Sequence, residues 1–149
     1  YRENDDIMKG YEWSATFDDR TSDVCMALDG LQWDFEFNPI GHGTTFPGYT
    51  AHWNCRSDVV GITKSWKELG AKGKFKEIPK STRASMDGQV SGKLNYEGWL
   101  KTKGEAFQIK TLGAGKHKLW KEGKLGLTDM VSGSGNPLTL GQLETKLNL

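Results

Sequence analysis

With 149 residues, 36% apolar composition and 16 aromatic side chains, the chain is long enough for one modest domain with a true core, or for two small subdomains. No apolar run approaches the ~20 residues of a membrane helix, and no basic-then-apolar leader opens the chain; a soluble protein made in the cytoplasm is expected. The net charge of +1 conceals a polarity, since residues 1–63 carry 4 Lys/Arg against 11 Asp/Glu, a net −7, whereas residues 64–149 carry 16 against 8, a net +8. Such polarity can hold the halves together, orient the protein between unlike neighbours, or give the second half affinity for nucleic acid. The start at Tyr1, without Met, leads us to expect a preceding segment.

In chain order, Trp13, Ala15 and Phe17 alternate with Ser14 and Thr16, the period of a half-buried strand. Thr21 or Ser22 can cap a short helix carrying Cys25 and Leu28, and Asp29-Gly30 turns into a second alternating strand with Leu31, Trp33, Phe35 and Phe37. Asn38-Pro39 ends it. Residues 38–54 contain Gly41, Gly43, Pro47 and Gly48 without a period, so they form a long loop that ladder hydrogen bonds do not hold. Val59, Val60 and Ile62 return to strand. A short Trp66 helix, a Gly/Lys-rich connection over 70–76 and an irregular stretch over 79–92 then read as an internal linker. The last third is helical in pieces: one helix capped by Asn95 with Tyr96, Trp99 and Leu100; one with Phe107, Ile109 and Leu112 before Gly113; one over Lys116–Glu122; and one from Thr139 with Leu140, Leu143 and Leu147 on one face. The expected fold is α+β: a small antiparallel sheet with a short helix and long loop over 1–63, an irregular segment over 64–92, and a mostly helical basic region over 93–149, together one compact unit.

The chemically suggestive residues are Cys25, His52 and Cys55. Three readings are open: a zinc site, with Asp23, His42 or solvent completing the four ligands; a Cys25–Cys55 disulfide, which a reducing cytoplasm disfavours; or two reduced thiols beside a hydrogen-bonded His. Ser22 stands where the first residue of a Cys-x-x-Cys pair ending at Cys25 would be. Cys25 with His52 is also a thiol and a base, although nothing resembles a nucleophile elbow, a P-loop, a paired-His metalloprotease helix or a dinucleotide loop. In the basic half, His117 between Lys116 and Lys118, with Arg83, Ser81 and Thr82, could serve metal-independent RNA cleavage; a solvated helix face is the plainer expectation for His117.

Two segments carry a likeness. Tyr11-Glu12-Trp13-Ser14-Ala15-Thr16-Phe17-Asp18-Asp19-Arg20-Thr21-Ser22-Asp23-Val24-Cys25, followed by Ala27-Leu28-Asp29-Gly30, resembles the opening motif of the Mu F-like phage head morphogenesis (minor capsid) proteins. His52-Trp53-Asn54-Cys55-Arg56-Ser57 matches that family's His-x-x-Cys-Arg motif, and Arg83–Val90, Tyr96–Leu100, Leu119–Leu125 and Leu138–Leu143 look like its C-terminal pattern. The resemblance covers nearly the whole chain. It departs at Ser22, where the family commonly has Cys.

The resemblance implies a structural protein of the phage head, present in few copies, made in the host cytoplasm and acting in procapsid assembly or DNA packaging beside the portal. Its implied partners are other head proteins (portal, capsid or scaffold) and phage DNA through the basic half, with neither a membrane nor a small-molecule substrate. Likeness of the family's C-terminal region to RNase-like toxin folds supplies a nuclease as the alternative, and a DNA-binding virion accessory protein is a further one. Arg20, Asp29, Asn54 and Arg56 also match the motifs. For these we expect structural work, the arginines pairing with carboxylates such as Asp29, and Asn54 fixing the loop by hydrogen bonds.

Overall fold

In the computed structural model, residues 1–76 and 82–149 are described. Strand β1 (Met8–Ser14) is central in a three-stranded antiparallel sheet, between β2 (Gln32–Trp33) and β3 (Asp58–Thr63). The alternation of β1 continues past its end: Trp13, Ala15 and Phe17 all face the core. Helix α1 (Asp23–Leu28) follows and is buried along almost its whole length, from Val24 to Leu28. Gly10 enters β1 at φ 152 beside a register shift, and its Cα lies so close to β2 that a Cβ would sit 2.0 Å from the Trp33 carbonyl oxygen.

The expected strand through Phe37 stops at Trp33. The Asp34 carboxylate accepts from the backbone N–H groups of Glu36 (2.9 Å) and Asn38 (2.8 Å) and from Asn38 Nδ2, and Phe37 takes φ 65. That local side-chain turn outcompetes a ladder. Phe37 stacks between Tyr11 and Phe46, with ring centroids 5.7 and 4.6 Å away, from a turn rather than from the inward face of a strand. The Trp66 segment is likewise a turn rather than a helix, closed by Glu68 on Ser65 N at 2.7 Å.

The expected linker contains a hairpin, β4 (Thr82–Ser85) and β5 (Gly88–Ser91), turning at Met86-Asp87. Its strands are too short and polar to show a hydrophobic period, but Met86 N donates to Phe17 O at 2.9 Å and a bridge joins Phe17 to Ser85, fastening it to the first half. The Pro79 end of that stretch lies outside the described residues.

Helices α2 (Tyr96–Lys101), α3 (Glu105–Leu112), α4 (Ala114–Lys121) and α5 (Leu140–Lys146) complete the α+β fold. Asn95 Oδ1 caps α2 through Gly98 N, and Thr139 with Gln142 forms the capping box of α5. One apolar cluster unites Trp13, Phe17, Leu28 and Trp33 of the first half with Tyr96, Trp99, Leu100, Leu127, Met130 and Leu143 of the second. The acidic and basic halves also meet through Arg83–Asp29, Lys110–Asp19 and Lys116–Asp23. The polarity read from the sequence therefore lies partly across an internal contact.

Candidate metal centre

Ser22 closes the extended run after β1, and its Oγ accepts from Cys25 N at 3.3 Å, capping α1. Cys25 thereby sits on the first helical turn, buried, facing the end of the long loop. That loop returns through Cys55 N donating to His52 O at 3.2 Å, with Asn54 in the left-handed region at φ 57. The turn puts His52 and Cys55 on one side.

Cys25 Sγ is 3.2 Å from His52 Nε2 and 3.5 Å from Cys55 Sγ, and the three donor atoms lie within 4.8 Å of one another. Both cysteines are free thiols. His52 Nδ1 is 2.8 Å from the Trp53 carbonyl oxygen, which can only accept, so Nδ1 carries the proton. Nε2 therefore presents its lone pair toward Cys25 and toward Ser22 Oγ at 2.8 Å. That tautomer, fixed by a backbone carbonyl, is the one a ligating histidine uses. Tetrahedral zinc with Zn–S of ~2.3 Å and Zn–N of ~2.0 Å spaces its donors ~3.5–3.8 Å apart, within a few tenths of an ångström of these distances. The cluster could hold a metal ion.

Burial pushes the Cys25 thiol above its ordinary pKa. Burial acts the same way on Cys55, but hydrogen bonds from the Ala51 and Ser57 backbone and from Cys25 more than offset it, leaving that thiol below the ordinary value. The raised thiol runs against nucleophilic use of Cys25, whereas the 3.2 Å approach of His52 Nε2 is the geometry of a thiol and its base.

Several expectations need correction. His42 is no fourth ligand, because its Nε2 donates to Gln32 O (2.7 Å) and its Nδ1 accepts from Thr44 N (3.2 Å), tying the loop to β2. Asp23 pairs with Lys116. Arg56 forms its two-pronged pair with Asp18 rather than Asp29, and these hydrogen bonds hold the Asp18 carboxyl at about 2. Arg20 is exposed and makes no ion pair with a described residue; its backbone N–H, not its guanidinium, reaches Asp18 at 2.9 Å. Asn54 shapes the loop through its left-handed backbone, with no side-chain hydrogen bond to a described residue.

Asp29 is the busiest of the motif residues. Its buried carboxylate accepts from Ala15 N (2.7 Å), Tyr96 N (2.7 Å), and Arg83 Nη1 and Nη2 (3.0 and 2.7 Å). Sequence reasoning missed this partnership because Arg83 sits 54 residues away in a polar stretch without periodicity. The guanidinium also packs over the Phe17 ring at 4.0 Å.

His117, expected on a solvated face, is 4% exposed, with Nε2 3.3 Å from Gln108 Oε1 and its ring beside Trp120. Arg83 is committed to Asp29, and Ser81 lies outside the described residues. The RNA-cleaving set is therefore not assembled among the described residues. No family model, curated protein or solved structure matches the chain.

Proposed function

We propose that the chain is a head-morphogenesis protein of a tailed phage, of the Mu F-like kind, working structurally in procapsid assembly or DNA packaging, with zinc as the metal of its Cys25–His52–Cys55 cluster. The observation that carries this reading is that the separated segments of the resemblance account for one another: Cys25 meets His52 and Cys55, Asp18 meets Arg56, and Asp29 meets Arg83. Paired thiolates with an imidazole favour zinc among divalent ions. The metal has a structural task here, since it joins α1 to the far end of the loop; the loop is otherwise held by Ile40 N to Gln32 O at 2.8 Å, the His42 bonds, Trp33 Nε1 to Thr44 O at 2.9 Å, Thr45 N to Gly133 O at 3.1 Å, Thr16 Oγ1 to Arg56 O at 2.8 Å and the Arg56–Asp18 pair.

The loop also supplies a surface for a neighbouring head protein. Trp53, between two site residues, is 90% exposed and Tyr49 is 60% exposed. Large aromatics so placed are typical anchors of protein interfaces. The last helix offers less surface for a partner, because Leu143 is buried and Leu140 and Leu147 pack against the core. Phage DNA through the basic half is the second partner of this reading, with the virion and the host cytoplasm as its locations. The test is detection of the protein in purified phage heads, with assembly followed when its gene is disrupted. Low-copy incorporation and defective heads are expected; absence from heads together with normal assembly would sink the reading.

A further inference from the structure

We propose that the centre binds its metal through three protein donors only and leaves the fourth coordination position to a small inorganic anion entering beside Ser22. This inference rests on the zinc reading above. The residue nearest the missing corner is Ser22, whose Oγ is 2.8 Å from His52 Nε2. A neutral hydroxyl is a poor zinc donor beside thiolate, imidazole and carboxylate, and this one already caps α1 through Cys25 N. The groups able to replace it are engaged elsewhere: Asp23 with Lys116, Asp18 with Arg56, and His42 with Gln32 O. No fourth protein ligand reaches the cluster from the described residues.

The space beside the cluster has the size and charge for such a donor. A cavity of about 30 Å³ opens there, bounded by Ser22, Cys25, His52, Arg20, Asn54 and Arg56. That exceeds what one water needs and is too small for an organic substrate. Two thiolates neutralise a divalent ion, so the cluster itself does not repel an anion, and of the two arginines lining the cavity Arg20, which makes no ion pair with a described residue, favours one, whereas Arg56 is already paired with Asp18. Ser22 Oγ–H, released from His52 Nε2 once that lone pair is given to the metal, faces the same position. Three protein ligands with an open fourth place is the arrangement of reactive rather than purely structural zinc sites.

The test uses the cobalt(II)-loaded protein and azide as the anion. The visible d–d bands of the wild type should shift saturably with azide, and those of Ser22→Ala should do the same. Ser22→Cys should close the site: thiolate-to-cobalt charge-transfer absorbance rises roughly 1.5-fold, as two thiolates become three, and the azide response disappears. Cobalt loading with no azide response in either the wild type or Ser22→Ala would overturn the open position while leaving the metal site intact. Failure to load cobalt at all would overturn the zinc reading and this inference with it.

Discussion

Replacing Asp29 by Asn should unfold the protein more readily than any other single polar change in the first half. The carboxylate, with a side chain 0% exposed, receives four hydrogen bonds from three separate elements. An amide keeps one acceptor oxygen, so Ala15 N and one arm of Arg83 can remain bonded, but its NH2 group then faces the Tyr96 N–H and the other arm as a fellow donor. The Tyr96 N–H is left unpaired, costing about 1–3 kcal/mol, Arg83 Nη1 keeps only its bond to Leu94 O, and Arg83 loses its counter-charge; removing one partner of a buried pair typically costs about 3–5 kcal/mol in all. Against a total stability of about 5–15 kcal/mol this is a large share. Urea unfolding followed by tryptophan fluorescence should show the midpoint falling by ~2 M, taking a slope of ~2 kcal/mol/M. In a double-mutant cycle with Arg83→Met, the two losses should fall well short of adding. A loss under about 1 kcal/mol for Asp29→Asn, or strict additivity, would refute the keystone assignment.

Gly10→Ala should cost about 2 kcal/mol or more in the same urea assay, because a Cβ would lie 2.0 Å from the Trp33 carbonyl oxygen and φ 152 disfavours a side chain; a neutral effect would mean the β1–β2 approach is looser than described. Asp18, ionised down to about 2 by Arg56 instead of the ordinary 3.8, contributes stability that is present above pH ~4 and lost as pH falls toward 2. With Arg56 42% exposed, solvent screening reduces the effect to on the order of 1 kcal/mol, and Arg56→Ala should flatten the stability profile across that window; an unchanged profile contradicts the pairing. Chelation, or Cys55→Ser, should abolish zinc binding and speed proteolysis within residues 38–57, while α2–α4 keep their hydrogen-exchange protection. Equal loosening everywhere would show that the metal holds more than the loop.

Local chemistry made parts of the fold legible: Ser22, Asn95 and Thr139 each cap the helix expected of them, and the alternation of Trp13, Ala15 and Phe17 names the core face of the central strand. The convergence of Cys25, His52 and Cys55 was legible because thiols and imidazoles are few and chemically distinctive. What escaped were features set by partners far away or by short side-chain turns. Asp34 cut β2 short through its own local hydrogen bonds, and Arg83 acquired its meaning only from Asp29. His117 looked solvated among its lysines, yet α4 buries that side beside Gln108 and Trp120.

The charge polarity bears on where nucleic acid could be met. Of the cations after residue 63, Arg83, Lys101, Lys103, Lys110, Lys116, Lys121, Lys124 and Lys146 face carboxylates. Much of the basic half's charge is therefore already neutralised within the protein. Lys67, Lys72, Lys74 and Lys76 are exposed and make no ion pair with a described residue, so among the described residues they form the most concentrated cationic stretch open to a polyanion such as DNA. Four phosphate contacts give log K against log salt a slope of about −3.6 on duplex DNA. Replacing these four lysines by Gln should remove most of that slope without altering thermal stability. A slope that survives the replacement would place DNA contact elsewhere, on other exposed lysines such as Lys93 and Lys118 or on helix lysines whose ion pairs would have to open.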